Sequence, residues 1–217
     1  MTYLILGDIH GNLPAFEKIL KAEKNSYDIL ISHGDVINYG PWSNECVELL
    51  ENQISSIKIK GNHETYFING EYPGNNIIAK TFFELSYPKF NKYKEIKNYL
   101  NSYEIDNYLI THTINDKYIF SDTNINDLII NTNHIIGHSH QQFIRELNGY
   151  ELINTGSVGQ NRKFINVSNY ILLDSVKRKV ELKQIINDID ILINELKIQN
   201  YSNICIDYYK NKSRINE

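Results

Sequence analysis

The chain has 217 residues, 41% of them hydrophobic and 22% charged, an ordinary globular composition for which we expect one domain over residues 1–217. Its formal net charge of −4 argues against a nucleic-acid-binding or anionic-membrane surface, since both need clustered basic residues. Two distant cysteines exclude a disulfide framework and a zinc ribbon, and no apolar run is long enough to predict a membrane span. The apolar start meets Gly7-Asp8 too early for a signal peptide, so we expect a soluble cytoplasmic protein.

The amino-terminal third of the chain alternates short apolar runs with helical periodicity. Strands are predicted at residues 3–6, 28–32 and 57–60. Helices are predicted at residues 13–22 and after Ser43, a residue type that favours helix N-caps. This repetition of strand, loop and helix predicts an α/β layered fold with partly parallel strands.

The middle and the end of the chain have different patterns. Residues 65–107 are rich in Tyr, Asn and Lys, and in them we predict helices at 78–86 and 92–100 between irregular loops. Further strands are predicted at residues 108–111, 118–120, 135–137, 143–147, 170–174 and 179–183. A helix is predicted at residues 187–198, and the polar tail after Lys210 is expected to fray.

Side chains that bind metals follow five of the predicted strands. The segments are Gly7-Asp8-Ile9-His10-Gly11-Asn12, Gly34-Asp35, Gly61-Asn62-His63-Glu64, Thr111-His112 and Gly137-His138-Ser139-His140. Open α/β sheets hold ligands at the carboxyl ends of their strands, and glycine lets the backbone approach a ligand closely. Carboxylates, imidazoles and an amide without thiolate suit Mn, Fe, Zn, Ni or Co better than Ca or Mg. Asp8 and His10, like His138 and His140, would lie on one side of an extended segment.

These motifs, in this order, resemble the calcineurin-like metallophosphoesterase superfamily, and within it the small prokaryotic phosphodiesterase branch. The resemblance covers about residues 1–165 and includes Asn38-Tyr39-Gly40-Pro41 and the segment 154–162. Thr155 replaces a proline of the family and Thr113 replaces a frequent glycine, and neither change is expected to remove activity. The resemblance implies a mixed α/β (α+β) fold, a four-layer β-sandwich flanked by helices, completed by strands and a helix in residues 166–210.

The resemblance also implies a dinuclear metal site. Two divalent ions are expected, with manganese first and iron, nickel, zinc or cobalt as alternatives. The implied ligands are Asp8, His10 and His140 for one metal, Asp35 as the bridge, and Asn62, His112 and His138 for the other. His63 would face the substrate phosphate and stabilise the transition state or act as general acid. Asn62 and Arg162 are further candidates for phosphate contact, although an exposed structural arginine is an equally common explanation for Arg162.

Six further residues near these motifs are not predicted to bind metal. His33 and His134 receive no site role, and Cys46 is expected to be a small buried side chain. Glu64 has two alternative roles, either orienting His63 or capping the following helix. Tyr39 and Trp42 could each line the substrate pocket or pack in the core.

The predicted function is hydrolysis of a phosphodiester, or a phosphomonoester, in a small substrate by water that two metals activate. A diadenosine-tetraphosphatase-like or serine/threonine protein phosphatase-like activity is the alternative, although Lys60 stands where protein phosphatases typically have arginine. A non-catalytic protein-binding scaffold of the same fold is the second alternative, against which the complete ligand set argues. The expected partner is a small phosphoester, without membrane or nucleic acid, and a homo-oligomer remains open.

Overall fold

The computed structural model describes residues 1–125 and 128–215, and its elements alternate between strands and helices in the first third. The strands are β1 (Thr2–Leu6), β2 (Ile29–Ser32), β3 (Ser56–Lys58), β4 (Ser102–Ile105), β5 (Tyr108–Thr111), β6 (Asn133–Ile136), β7 (Phe143–Leu147), β8 (Tyr150–Asn154), β9 (Val167–Asp174) and β10 (Lys179–Ile186). The α-helices are α1 (Leu13–Ala22), α2 (Ser43–Glu51), α3 (Asn62–Asn69), α4 (Ile77–Ser86), α5 (Tyr93–Lys97), α6 (Ile189–Ile198) and α7 (Asn203–Lys210), and a 3₁₀ turn spans Tyr87–Lys89. No helix of the described residues is long and apolar enough to cross a bilayer.

The strands form two five-stranded mixed sheets. The first has the order β10-β9-β1-β2-β3, in which β1, β2 and β3 are parallel and β9 is antiparallel to both of its neighbours. The second has the order β4-β5-β6-β8-β7, in which β5, β6 and β8 are parallel. Each sheet therefore gathers the carboxyl ends of three parallel strands at one edge, where ligand sites of such sheets lie.

Alternating side chains of the central strands build two cores. Leu4 and Leu6 on β1 face the helical layer, whereas Ile5 faces the second sheet. Burial on both faces explains why the central strands are continuous apolar runs. The core between the sheets contains Ile5, Ile31, Ile59, Ile105, Tyr108, Ile110, Ile135, Ile153, Ile171 and Leu173. The predicted mixed α/β sandwich is confirmed.

The outer faces of the sandwich are covered differently. Helices α1, α2 and α3 cover the first sheet, and α4, α6 and α7 form a separate cluster beside it. Chain segments on either side of the undescribed residues cover the second sheet through Ile119, Ile125, Leu128 and Ile130. The strand predicted at residues 118–120 is wrong, because this stretch belongs to that irregular covering segment.

Several other local predictions differ from the structure. Trp42, not Ser43, occupies the N-cap of α2, and the Ser43 hydroxyl accepts a hydrogen bond from the backbone N–H of Asn38 at 3.0 Å. The helix predicted at residues 92–100 is the shorter α5, since Leu100 pairs with Ile59 in a β-bridge. Helices α3 and α7 and strands β4 and β8 were not predicted, because their apolar residues are few or interrupted by polar ones.

The tail after Lys210 is packed against the fold, which contradicts the expected fraying. The Ile165 N–H donates to the carbonyl of Ser213 at 2.9 Å. Arg214 forms two hydrogen bonds with Asp190, at 3.0 and 2.9 Å. These long-range contacts hold residues 211–215 although the segment itself is polar.

Candidate metal centre

The sequence-predicted ligands lie together where parallel strands of both sheets end. They follow β1 (Asp8 and His10), β2 (Asp35), β5 (His112) and β6 (His138 and His140), and Asn62 begins α3 just after β3. All three strands at each sheet edge point the same way, so their following loops converge. The two sheets thus deliver side chains from positions up to 132 residues apart to one place.

Most of these residues have a left-handed backbone. The φ angles of Asp8, His10, Asp35, His138 and His140 lie between 50° and 65°. The expectation that Asp8 and His10, or His138 and His140, share one side of an extended segment is therefore wrong. A left-handed residue turns the chain sharply, and such strain is characteristic of functional sites.

The first cluster surrounds one oxygen of Asp8. Asp8 Oδ1 lies 3.1 Å from His140 Nε2 and 3.7 Å from His10 Nε2. The Nε2 atoms of His10 and His140 are themselves 3.1 Å apart. Asp35 Oδ2 completes the group at 3.9 Å from His10 Nε2. One cation at the centre of these atoms would contact all four side chains.

The second cluster surrounds His112. Its Nε2 atom lies 3.2 Å from Asp35 Oδ2, 3.1 Å from Asn62 Oδ1 and 3.2 Å from His138 Nδ1. Asp35 belongs to this cluster and to the first one. The structure therefore brings all seven sequence-predicted ligands together, with the same carboxylate oxygen of Asp35 facing both groups.

Backbone carbonyls determine which ring nitrogen of three histidines faces the centre. A carbonyl only accepts hydrogen bonds, so the Nδ1 atom beside it must carry the proton. This leaves the Nε2 lone pairs of His10, His112 and His140 for a metal. The carbonyls belong to Ile37, His33 and Gln160, at 3.3, 3.1 and 3.1 Å respectively.

Each carboxylate has one occupied oxygen and one that faces the cluster. Asp8 Oδ2 accepts from the His138 N–H at 3.0 Å, and Asp35 Oδ1 accepts from the His63 N–H at 2.9 Å. Asp8 Oδ1 is buried and has no hydrogen-bond partner among the described residues. A buried unpaired carboxylate oxygen is costly, so a cation at this position would satisfy it.

The electrostatics of the centre favour ionised carboxylates. Burial alone raises the pKa of Asp8 and Asp35, but the nearby histidines outweigh it and hold both pKa values below the ordinary range. Burial, then His140, lowers the pKa of His10 to about 3. Burial also lowers the pKa of His112, but Asp35 outweighs it and the result is about 9. A metal would compete with that proton for the same lone pair.

A sequence model of the calcineurin-like phosphoesterase family matches residues 1–193, nearly the whole chain. The chain belongs to this family. The resemblance that the motifs carry is confirmed, and it reaches beyond residue 165 through β10. Membership indicates a phosphoester hydrolase with a dinuclear metal centre, for which the two clusters are candidates.

Relatives of similar length support the same fold. The uncharacterized protein MJ0912 of Methanocaldococcus jannaschii is 29% identical over 235 residues, covering 85% of this chain and 87% of that protein. A metallophosphoesterase from Sphaerobacter thermophilus has a TM-score of 0.78 at 19% identity, covering 97% of this chain and 99% of that chain. The hypothetical protein PH1004 from Pyrococcus horikoshii also has a TM-score of 0.78, at 14% identity, covering 96% and 97%.

His63 of this phosphoesterase lies beside the clusters. Its Nε2 atom is 3.9 Å from Asp35 Oδ2, and its Nδ1 atom is 2.9 Å from the side-chain amide nitrogen of Asn38. Asn38 is buried, has a left-handed φ of 69°, and also contacts the Ser86 hydroxyl at 3.2 Å. Sequence reasoning missed Asn38 as the partner of His63, because the two residues come from different loops.

Glu64 connects the loops that carry the ligands. Its carboxylate accepts hydrogen bonds from the backbone N–H groups of Asp35, Val36 and Gly61, at 2.8, 2.8 and 2.7 Å. The contact with Gly61 caps α3, which decides between the two roles left open for Glu64. Gly61 is required here because a Cβ atom would lie 2.1 Å from Asp35 Oδ1.

His33 lies beside the candidate metal centre, although no site role was predicted for it. Its buried ring is packed between Gly7 and Gly137, and it groups with Asp8 and His112. Its Nε2 atom lies 2.6 Å from the Thr155 hydroxyl, the side chain that replaces the proline of the family. Side chains alternate between the two faces of a strand, but β2 ends at Ser32, so this alternation does not determine the direction of His33.

A cavity of about 160 Å³ opens on the clusters of the phosphoesterase. Its lining includes His63 and Asn62 near the two clusters, then Tyr39, Tyr118, Tyr208 and Arg162. Arg162 is exposed and its Nε donates to the Ser139 carbonyl at 2.7 Å. Trp42 packs in the core, whereas Tyr39 lines the cavity. Cys46 is buried as expected, and His134 is buried outside the two clusters.

Proposed function

We propose that this protein hydrolyses phosphodiester bonds of a small substrate with the help of two divalent metal ions. The observation that carries the proposal is the position of Asp35 Oδ2, 3.2 Å from His112 Nε2 and 3.9 Å from His10 Nε2. One carboxylate oxygen shared by two groups of donors is the arrangement that a bridged metal pair needs.

The donor set fits transition-metal ions. One ion would be held by Asp8, His10, His140 and Asp35, and the other by Asp35, Asn62, His112 and His138. Neutral imidazoles with carboxylate and amide oxygens suit manganese first in this proposal, with iron, nickel, zinc or cobalt as alternatives. When bound, the ions would supply Lewis-acid activation of water and of the phosphoryl oxygens.

The chain's own residues would orient and protonate the substrate. His63 lies at the cavity wall next to Asp35, so it would hydrogen-bond the phosphoryl group or protonate the leaving oxygen. The contact with Asn38 at 2.9 Å would hold the ring in this orientation. Arg162 lines the same cavity and would contact an anionic group of the substrate through its guanidinium group.

Two features favour a catalytic protein over a binding scaffold and a small substrate over a large one. The unpaired Asp8 Oδ1 and the converging Nε2 lone pairs would carry an uncompensated desolvation cost without cations. The cavity has a volume of about 160 Å³ and is lined by tyrosine side chains, which favours a small substrate over a macromolecular one. The net charge of −4 gives no general attraction for nucleic acid.

The test is hydrolysis by the metal-free chain after separate addition of Mn, Ni, Co, Zn or Mg. Bis-p-nitrophenyl phosphate reports diester cleavage and p-nitrophenyl phosphate reports monoester cleavage. We expect metal-dependent turnover with a higher kcat/KM for the diester, and about two bound ions per chain by mass spectrometry. Preference for the monoester would favour a phosphatase, whereas a chain without bound metal and without turnover would favour the scaffold.

A further inference from the structure

Two basic side chains line the cavity in addition to the predicted metal ligands. Arg162 and Lys212 share it with Asp35 and His63. In the described ranges 1–125 and 128–215, no carboxylate forms an ion pair with either cation. Neither positive charge is therefore paired directly with a carboxylate of the described residues.

Arg162 is held in a fixed orientation. Its Nε donates to the Ser139 carbonyl at 2.7 Å, and in residues 1–125 and 128–215 no second acceptor holds its guanidinium group. The guanidinium carbon lies 5.7 Å from the ring centre of Tyr118 and 5.3 Å from that of Phe120. These cation–π contacts orient the charge without neutralising it.

Lys212 is positioned by the packed carboxyl-terminal segment. Ser213 and Arg214 anchor this segment to Ile165 and Asp190. The Lys212 Nζ lies 4.6 Å from the ring centre of Tyr208, another cavity residue. Burial, then the charge of Arg162, lowers the pKa of Lys212. The two cations therefore destabilise each other, and an anion between them would relieve that repulsion.

We propose that Arg162 and Lys212 form a second anion subsite, and that the natural substrate carries another phosphoryl group beside the scissile phosphodiester. This inference rests on the proposed function, because the metal ions and His63 would take the scissile group. Two more charge-assisted contacts at the same cavity fit a second phosphate better than a neutral substituent. The substrate class is thus a small bisphosphate, with the second group present as a monoester or as part of a phosphoanhydride.

A matched pair of chromogenic substrates tests the subsite. Thymidine 5′-(p-nitrophenyl phosphate) and its 3′-phosphorylated analogue share the scissile bond and differ by one phosphate. For the manganese-loaded full chain we expect kcat/KM about tenfold or more higher with the analogue. In Lys212→Met and in Arg162→Met, the ratio of kcat/KM for the analogue to kcat/KM for the parent substrate should be close to one. Lys210→Met removes an exposed lysine at the end of α7 and should keep the wild-type ratio.

Diadenosine tetraphosphate distinguishes the two forms of the second phosphate. The subsite is supported in its phosphoanhydride form if Lys212→Met lowers kcat/KM for this substrate about tenfold relative to bis-p-nitrophenyl phosphate. The subsite is supported in its monoester form if Lys212→Met changes only the kcat/KM ratio of the two thymidine substrates. The subsite proposal would be overturned if wild type, Lys212→Met and Lys210→Met gave the same ratio of kcat/KM values for each of the two substrate pairs.

Calorimetry separates failure of the subsite from failure of the proposed function. Thymidine 3′,5′-bisphosphate should bind the full chain about tenfold more tightly than thymidine 5′-monophosphate, and Lys212→Met should remove the difference. If this binding difference is found but no ester is hydrolysed, the subsite stands and the hydrolase proposal fails. If esters are hydrolysed but neither the binding nor the rate depends on Lys212, only the subsite fails.

Discussion

Asp35 meets several structural requirements at once. Its Oδ1 accepts the His63 N–H, its Oδ2 faces both donor clusters, and its backbone N–H is held by Glu64. Its φ of 53° turns the chain toward the centre. An amide in this place cannot serve both contacts, because its NH₂ group does not ligate a metal.

Asp35→Asn should therefore reduce the bound metal from about two ions per chain to one or none. Mass spectrometry of the chain after gel filtration from excess manganese measures the stoichiometry. Asp188→Asn is the matched control, since Asp188 is an exposed helix cap that asparagine also provides. Two ions retained by Asp35→Asn would show that Asp35 does not bridge them.

His63→Gln tests the role of the residue beside the clusters. The variant should bind both ions but lose a factor of about 10² to 10⁴ in kcat, the range for loss of a general acid. Metal stoichiometry and kcat are measured on the same preparation, so a metal-loss explanation is separable from a catalytic one. Unchanged kcat would remove His63 from the proposed mechanism.

At the scale of elements, α3 is tied to the loop after β2 by one side chain. Glu64 supplies acceptors for three backbone N–H groups on two segments, so the helix position and the Asp35 position depend on each other. Both segments carry predicted ligands. The start of α3 is therefore coupled to the candidate metal centre, although Glu64 itself is not expected to bind metal.

Glu64→Gln should destabilise the fold by about 2–3 kcal/mol, because an amide NH₂ would face backbone donors and leave buried groups unpaired. Urea unfolding of the metal-free chain measures this free energy. Glu84→Gln is the control, as Glu84 lies on the exposed face of α4 and should change stability by less than about 0.5 kcal/mol. Equal stability of the two variants would contradict the linking role of Glu64.

At the scale of the whole molecule, the candidate metal centre takes its side chains from both sheets. Asp8, His10 and Asp35 follow strands of the first sheet, whereas His112 and His138 follow strands of the second. Ions bound by both groups would oppose separation of the sheets at this edge. Folding and metal binding should therefore be linked.

Manganese at about 100 times its dissociation constant should stabilise the chain by about 2.7 kcal/mol relative to the chelator-treated protein. Differential scanning calorimetry with manganese or with chelator measures the shift in Tm. Asp35→Asn should show a smaller shift, which excludes nonspecific effects of the salt. The same Tm under both conditions would contradict a metal centre shared between the sheets.

The residue types of the candidate site can be predicted from the sequence because each lies in a short local motif. Ligand types are limited by metal chemistry, and the candidates follow short apolar runs, most of them beside a glycine. Asp8, Asp35 and His112 are recognisable in this way without knowledge of their neighbours. The apolar runs likewise predicted most strands, since burial on both faces leaves a continuous hydrophobic stretch.

Contacts between distant segments were decided only by the tertiary structure. Asn38 reaches His63, Glu64 reaches the Asp35 loop, and Lys212 reaches the cavity from the packed tail, none of which has a local sequence pattern. The left-handed backbone of the ligand loops likewise depends on the surrounding packing, because most residues outside glycine avoid it. The sequence by itself determined which donors and which strands are available. The packing of the two sheets determined which donors meet, because their convergence depends on long-range burial and hydrogen bonding.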